Sequence, residues 1–276
     1  MIVDIAERRV FAEDLAVEAG NVALSYRGRK DLDIRSKGVL DWVTEADLAT
    51  ERMIRRRIGE SFPHERILGE EEGGDPMPAG AGEITWVVDP IDGTTCFISG
   101  VPSWCVSIAC VSELGHPFLG VVRDPERAET FSALEGRGLT INGRGTSVPI
   151  LGITDGLVGV GHPRNASHEP TLAFLRRLFA AGGLFYNCGS AALALAYVAA
   201  GRLVGFFESD LRAWDALAGE VLIRESGGWS TNFMNDGSLS TSKPVLAANQ
   251  GSAAALWDLA DGVLDGWSPP DLPSRQ

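Results

Sequence analysis

The chain has 276 residues, 45% of them hydrophobic, and a formal net charge of −13. That is enough apolar material for one large domain or two ordinary ones, and the acid surplus argues against general nucleic-acid binding, because the surface repels a phosphate backbone. An anionic substrate would therefore need local positive charge, from cations or helix termini. The N-terminus runs Met1-Ile2-Val3-Asp4 and soon carries Glu7, Arg8 and Arg9, so no signal peptide is visible. No apolar run is long enough to span a membrane, since even Ala191 to Ala200 stops at Gly201-Arg202. Cys96, Cys105, Cys110 and Cys188 form no C-x-x-C pair and sit among apolar neighbours. Reduced, mostly buried thiols and a cytoplasmic location are expected.

Residues 4 to about 26 carry Ile5, Val10, Phe11, Leu15, Val22 and Leu24 at helical spacing. Arg27 to Asp41 is polar and reads as a loop or hairpin. A second helix starts at Thr44, where Thr44 and Asp47 have capping-box spacing and Ala46, Met53, Ile54 and Ile58 supply an apolar face. Arg55-Arg56-Arg57 reads as a solvated face, and Phe62-Pro63 ends the helix. Ile67-Leu68-Gly69 then leads into Glu70-Glu71-Glu72-Gly73-Gly74, a surface loop by its composition. Trp104 to Val111, Phe118 to Val122, Thr130 to Ala133 and Leu139 to Ile141 are short strands, and Asn142-Gly143 is a tight-turn signal. Two helices plus an antiparallel sheet are predicted for residues 1–150. In 151–276 the texture changes to α/β alternation: strands at Leu157 to Gly161 and Leu203 to Glu208, helices at Thr171 to Ala180 and Ser190 to Ala200. Asp215 to Glu225 is the last clear helix, with Asp215 at the N-cap position and Gly227-Gly228 as its stop. The Pro- and Ser-rich tail from Trp267 is expected to fray.

One stretch organises the rest. In Trp86-Val87-Val88-Asp89-Pro90-Ile91-Asp92-Gly93-Thr94-Thr95, a buried strand runs into two aspartates held by a stiff Pro90, and Gly93 with the threonines opens a helix whose free N–H groups face an anion. If Glu70, Asp89, Asp92 and Asp215 converge, four carboxylates cannot all stay ionised without cations. All the ligands are oxygens, which selects Mg²⁺ over zinc. His64, His116, His162 and His168 show no metal-ligand spacing and read as surface or loop residues. Two metals roughly 3.5 to 4 Å apart can clamp the attacking and leaving oxygens of an in-line displacement, so phosphate-ester hydrolysis follows without a covalent intermediate.

Asp89 to Thr95, Gly69-Glu70-Glu71, Val43 to Asp47, Trp214 to Gly219 through Gly228, Gly136-Arg137-Gly138 with Asn142-Gly143, and Gly189-Ser190-Ala191-Ala192 resemble the signature blocks of the inositol monophosphatase family. The resemblance implies a layered α-β-α-β-α sandwich of the inositol monophosphatase and fructose-1,6-bisphosphatase type, within the α+β and α/β classes. It also implies two to three Mg²⁺ ions, lithium sensitivity and a homodimer. Carried over residue by residue, Glu70, Asp89 and the Ile91 carbonyl hold one metal, and Asp89, Asp92 and Asp215 a second. Thr94, supported by Asp47, orients the attacking water with Glu70 as partner. Gly93 and Thr94 offer N–H groups to phosphate, with Asp92, Thr95 and Asp215 beside it. Gly189, Ser190 and Ala191 form a substrate wall, and Glu208 takes a sugar-like hydroxyl, although a strand-end charge and a helix cap would also explain Glu208 and Ser190.

The substrate implied is a small phosphorylated polyol, myo-inositol monophosphate first. Histidinol phosphate, fructose 1,6-bisphosphate and 3'-phosphoadenosine 5'-phosphate remain alternatives, as does a regulatory binding protein whose phosphatase site is secondary. Three positions depart from the family: Cys96 stands where Asn is common, Tyr186 where many relatives have Arg, and Lys37 is offset by one place. None is a metal ligand.

Overall fold

Successive side chains of a strand face opposite ways, and here both faces of both sheets carry apolar residues, so each sheet needs a cover on either side. The computed structural model describes residues 5–29, 31–38, 41–74, 84–163, 166–264 and 267. The first half runs α1 (Ile5–Tyr26), β1 (Ile34–Gly38), β2 (Asp41–Thr44), α2 (Glu45–Ser61), β3 (Arg66–Gly69), β4 (Gly73–Gly74), β5 (Thr85–Asp92), α3 (Thr94–Ile98), β6 (Cys105–Val111), β7 (Pro117–Asp124), β8 (Glu129–Leu134), β9 (Leu139–Ile141) and β10 (Arg144–Gly145). The second runs β11 (Leu157–Val160), α4 (Glu169–Ala180), β12 (Leu184–Tyr186), α5 (Ala191–Ala199), β13 (Gly205–Leu211), α6 (Ala213–Glu225), β14 (Trp229–Ser230), β15 (Lys243–Ala248) and α7 (Ala253–Leu259).

The strands form a hairpin, β1-β2, and two larger sheets ordered β10-β9-β8-β7-β6-β5-β3-β4 and β12-β11-β13-β15-β14. Trp86, Val88, Ile108 and Val121 turn one face of the larger sheet to Leu15 and Ala19 of α1 and Ile54 and Ile58 of α2. Val87, Ala109, Val122 and Phe131 turn the other face to α5 and α6, which also receive Phe206 and Ala247 from the smaller sheet. Phe207 and Leu246 point the opposite way, onto Phe174 and Leu178 of α4 and Leu256 of α7. The result is the expected α-β-α-β-α sandwich, with one apolar core shared between the sheets through the central helices. Among the described residues, no helix is long and apolar enough to cross a membrane.

Several expectations need correction. The larger sheet is mixed, because β3 pairs with β5 in parallel while the rest is antiparallel. Asp215 is not the N-cap of its helix; α6 starts at Ala213, Arg212 is the cap, and Asp215 is the third helical residue, accepting from the Arg212 N–H at 2.9 Å. That helix is not the last, since α7 follows. Arg55 is not solvated: its side chain is 11% exposed and pairs with Glu51 at 2.9 Å. Arg57 pairs with Glu18 and lies over the Phe11 ring, which leaves only Arg56 fully outward. Residue 4, the Lys37 side chain and, apart from Trp267, the tail lie outside the described residues.

Other local readings hold. Thr44 caps α2 in a complete capping box with Asp47. The Asn142-Gly143 turn joins β9 to β10 with both residues at positive φ. The Gly136-Arg137-Gly138 segment is tied to the end of α6, where Glu225 accepts from the Gly136 and Gly138 N–H groups at 3.0 and 2.8 Å. Among the described residues no disulfide links Cys96, Cys105, Cys110 or Cys188.

Glu220 of α6 is buried and accepts from the Phe233 N–H at 3.0 Å, with Arg224 3.8 Å away. Burial pushes its carboxyl from 4.5 up to about 7, against the Phe233 hydrogen bond and the Arg224 charge. The folded chain therefore keeps a proton that the unfolded chain releases, and stability falls as pH rises from about 4.5 to about 7, by at most about 3 kcal/mol. Gln can still accept from Phe233 but does not titrate. E220Q is expected to narrow the gap in melting temperature between pH 5 and pH 8; an unchanged gap would show that Glu220 stays ionised throughout.

Candidate active site

Side chains three positions apart on a regular strand point to opposite faces, yet Asp89 and Asp92 must share one to act together. The register supplies the remedy: Asp89 pairs with Ser107 and Asp92 with Cys105, so three steps on β5 match two on β6. The extra residue is a bulge at Pro90-Ile91 that restores the parity. The Ile91 N–H closes the turn onto Asp89 Oδ1 at 2.9 Å. Asp92 Oδ2 accepts from Ser190 Oγ at 2.6 Å and from the Ala192 N–H at 2.7 Å, so this carboxylate docks on the N-terminus of α5.

The other two carboxylates arrive from neighbouring elements. Glu70 follows β3 directly, and its N–H donates to the Val88 carbonyl at 3.2 Å, beside Asp89 on the parallel strand. Asp215 is brought in because Ser107 Oγ, opposite Asp89, donates to the Trp214 carbonyl at 2.9 Å. Carboxylate oxygens of Asp89, Asp92 and Asp215 all lie within 4.8 Å of one another. Burial pushes the Asp89 carboxyl well above its ordinary range, and the charges of Glu70, Asp92 and Asp215 push it further. Like charges this close require either protons or a cation, and an all-oxygen donor set fits a hard divalent ion.

Beside the cluster lies a hydroxyl held by an acid. Thr94 Oγ1 is 3.3 Å from Asp47 Oδ1 and 3.1 Å from the Ile91 carbonyl. Asp47 Oδ2 accepts from Thr44, from its N–H at 2.8 Å and its hydroxyl at 2.6 Å. Burial pushes Asp47 up to about 6 in spite of those two bonds, and Glu70 adds to the rise. Gly93 caps α3 at φ 95, and a Cβ there would meet the Ser103 and Gly189 carbonyls at 3.0 and 3.1 Å. Only glycine fits both constraints.

Above these groups opens a cavity of about 660 Å³. Of the residues expected from sequence, Glu70, Asp92, Thr95, Gly189, Ser190, Ala191, Glu208 and Asp215 line it. Asp47, Asp89, Ile91, Gly93 and Thr94 are buried and do not line it. Glu208 lies over Gly161, where a Cβ would stand 1.8 Å from its Oε2. Ser190 does cap α5, accepting from the Leu193 N–H at 3.3 Å. Cys96 is part of the wall; its Sγ lies 4.0 Å from the Cys188 carbonyl, a weak brace in place of an amide. Sequence reasoning missed His162, Asn187, Asp210 and Arg212, which also line the cavity. Asp210 follows Glu208 at a register shift of β13 against β15, so simple alternation along the strand does not place it. Arg212 is, among the described residues, the only lysine or arginine in the lining.

The layered fold and the acidic site at its centre define a class, the metal-dependent phosphatases built as alternating helix and sheet layers. The chain belongs to the inositol monophosphatase family, whose model matches residues 4–263. It is 37% identical over 239 residues to the inositol-1-monophosphatase of Rhizobium meliloti, covering 86% of this chain and 89% of the relative. It is 39% identical over 240 residues to the Nus factor SuhB of Escherichia coli K12, covering 85% and 88%. The crystal structure of the extragenic suppressor protein suhB from Bartonella henselae superposes with a TM-score of 0.82 at 31% identity, covering 93% of this chain and 98% of that one.

Proposed function

We propose that this protein hydrolyses a polyol phosphate monoester, with myo-inositol monophosphate as the preferred substrate and two to three Mg²⁺ ions as cofactors, acting as a cytoplasmic homodimer. The observation that carries the reading is the meeting of Asp89, Asp92 and Asp215 beside Glu70, with Glu70, Asp92 and Asp215 lining the cavity and Asp89 buried next to them. Glu70, Asp89 and the Ile91 carbonyl would hold one ion, Asp89, Asp92 and Asp215 another. Bound there, magnesium supplies neutralising charge and a water acidic enough to attack at neutral pH. An attacking water would be oriented by the Thr94 hydroxyl, which Asp47 holds, and would give up its proton to Glu70. The Gly93 and Thr94 N–H groups receive phosphate oxygens.

The wall favours a polyol. Glu208 and Asp210 line the cavity and would accept from hydroxyl groups, whereas a second phosphate would face both of them with, among the described residues, only Arg212 of the lining in compensation. This disfavours fructose 1,6-bisphosphate and 3'-phosphoadenosine 5'-phosphate. Phosphate release from those two, histidinol phosphate and myo-inositol 1-phosphate, with and without Mg²⁺ and with added Li⁺, tests the proposal. The inositol ester should exceed the others in kcat/KM by at least about tenfold, a difference of about 1.4 kcal/mol in transition-state binding, with full Mg²⁺ dependence and lithium inhibition. Equal, slow turnover of all four would sink the substrate assignment; release independent of Mg²⁺ would sink the class. A regulatory binding role beside catalysis is the second reading, motivated by the relative named Nus factor SuhB.

A further inference from the structure

One face of α2 carries a ladder of polar residues at successive turns: Thr44 at its cap, then Asp47, Glu51 and Arg55. Asp47 reaches Thr94. Glu51, one turn further on, is fully buried, and its carboxylate points to the segment that carries Glu70. Its Oε2 accepts from the Glu71 N–H at 2.9 Å and its Oε1 from the Glu72 N–H at 3.1 Å. Arg55 Nε pairs with Oε1 at 2.9 Å and lies 3.5 Å from Glu72 Oε2, while Arg55 Nη2 donates to the Gly73 carbonyl. On the near side of Glu70 the fit is equally close: a Cβ on Gly69 would stand 2.1 Å from Glu51 Oε1.

Glu70 is thus bracketed. Its own N–H is fixed on Val88 of β5, the residue before it has no side chain so that Glu51 can enter, and the two N–H groups after it are held by Glu51. A buried carboxylate is costly unless it is paired and fully hydrogen-bonded, and Glu51 meets both conditions only when the 69–73 backbone takes this path. The same rigid helix places Asp47 against Thr94, and Asp47 and Glu70 are close enough to feel each other's charge.

We propose that Glu51 is a positioning residue that sets the place of Glu70 and thereby the affinity of the site for its divalent ion, with α2 fixing Glu70 and Thr94 relative to one another. This rests on the reading of Glu70 as a ligand. The test uses the full-length protein and three variants: E51Q, which puts an NH₂ among N–H donors; G69A, which pushes the Glu51 carboxylate aside from the opposite side; and R56A, a change on the outward face. Isothermal titration with Mn²⁺ alone gives the dissociation constant, and hydrogen exchange gives the mobility of the Glu71 and Glu72 amides. Both E51Q and G69A should weaken Mn²⁺ binding by about tenfold or more and speed exchange at those amides, with a matching loss in kcat, while R56A behaves as wild type. Should E51Q fail to fold, G69A decides the question. Faster exchange with wild-type Mn²⁺ affinity would overturn the proposal and leave Glu51 a staple for the turn alone. A wild-type chain that binds no divalent ion would overturn the functional reading itself, and this inference with it.

Discussion

Replacing Asp92 by Asn is expected to lower kcat for phosphate release by at least about three orders of magnitude, some 4 kcal/mol in the barrier, while the fold persists. The Asp92 cradle explains both halves of the expectation. Ser190 Oγ and the Ala192 N–H both donate to Oδ2, so an Asn carbonyl oxygen can take that place and α5 keeps its partner. The amide nitrogen then turns to the side where Asp89 and Asp215 converge, and presents a donor where an ion requires an acceptor. One negative charge also leaves a crowded cluster, so the metal-free variant should melt at the same temperature as wild type or a few degrees higher. Phosphate-release kinetics and thermal unfolding check the pair of outcomes. Wild-type kcat would remove Asp92 from the site. A binding function that survives the substitution while hydrolysis is lost would establish the regulatory reading beside the catalytic one.

The second large effect concerns magnesium and pH together. In the metal-free protein the Asp89 carboxyl is pushed well above its usual 3.8 by burial and by the charges of Glu70, Asp92 and Asp215. As pH rises past that ordinary value, the unfolded chain gives up the Asp89 proton while the folded chain retains it, so stability declines until the folded group ionises as well. Mg²⁺ reverses the trend, because it binds the ionised carboxylates and expels the proton. At a concentration one hundred times its dissociation constant it should stabilise the fold by about 2.7 kcal/mol, or roughly 5–10 °C in melting temperature, more at pH 8 than at pH 5. Titrations in two buffers of different ionisation enthalpy would reveal the released proton. A melting temperature indifferent to Mg²⁺ at both pH values would exclude an ion from the cluster.

The features legible in the sequence were those whose causes lie close together in the chain. Thr44 and Asp47 are three residues apart and form their capping box locally, and the Asp89 to Thr95 stretch carries bulge, helix cap and ligands within seven residues. Asp215 does converge with Asp89 and Asp92, but it is misplaced by three positions as a cap, because the helix borrows Ala213 and Trp214 ahead of it. Only part of the surroundings of Glu51 could be read: Arg55 stands four positions on, but its other partners are main-chain N–H groups 20 and 21 positions away, and a backbone donor has no identity in a sequence. Arg55 looked solvated because the Glu72 and Gly73 segment that covers it comes 17 and 18 positions later in the chain. In the second half, β15 opens with Lys243, whose ammonium is buried on the Phe233 and Ser238 carbonyls and on Asp236, so a core strand begins with what reads as a surface residue. Strands β3 and β12 and helix α7 are too short for periodicity to reveal them.

The bulge at Pro90-Ile91 makes the spacing of the two aspartates a counted quantity. Deleting Ile91 would leave two steps on β5 against two on β6, so both carboxylates would still face the same way, but the Ile91 N–H that closes onto Asp89 and the Ile91 carbonyl that accepts from Thr94 would be gone. The extra residue therefore gives the chain between the two aspartates a turn of its own, in which main-chain atoms serve Asp89 on one side and Thr94 on the other.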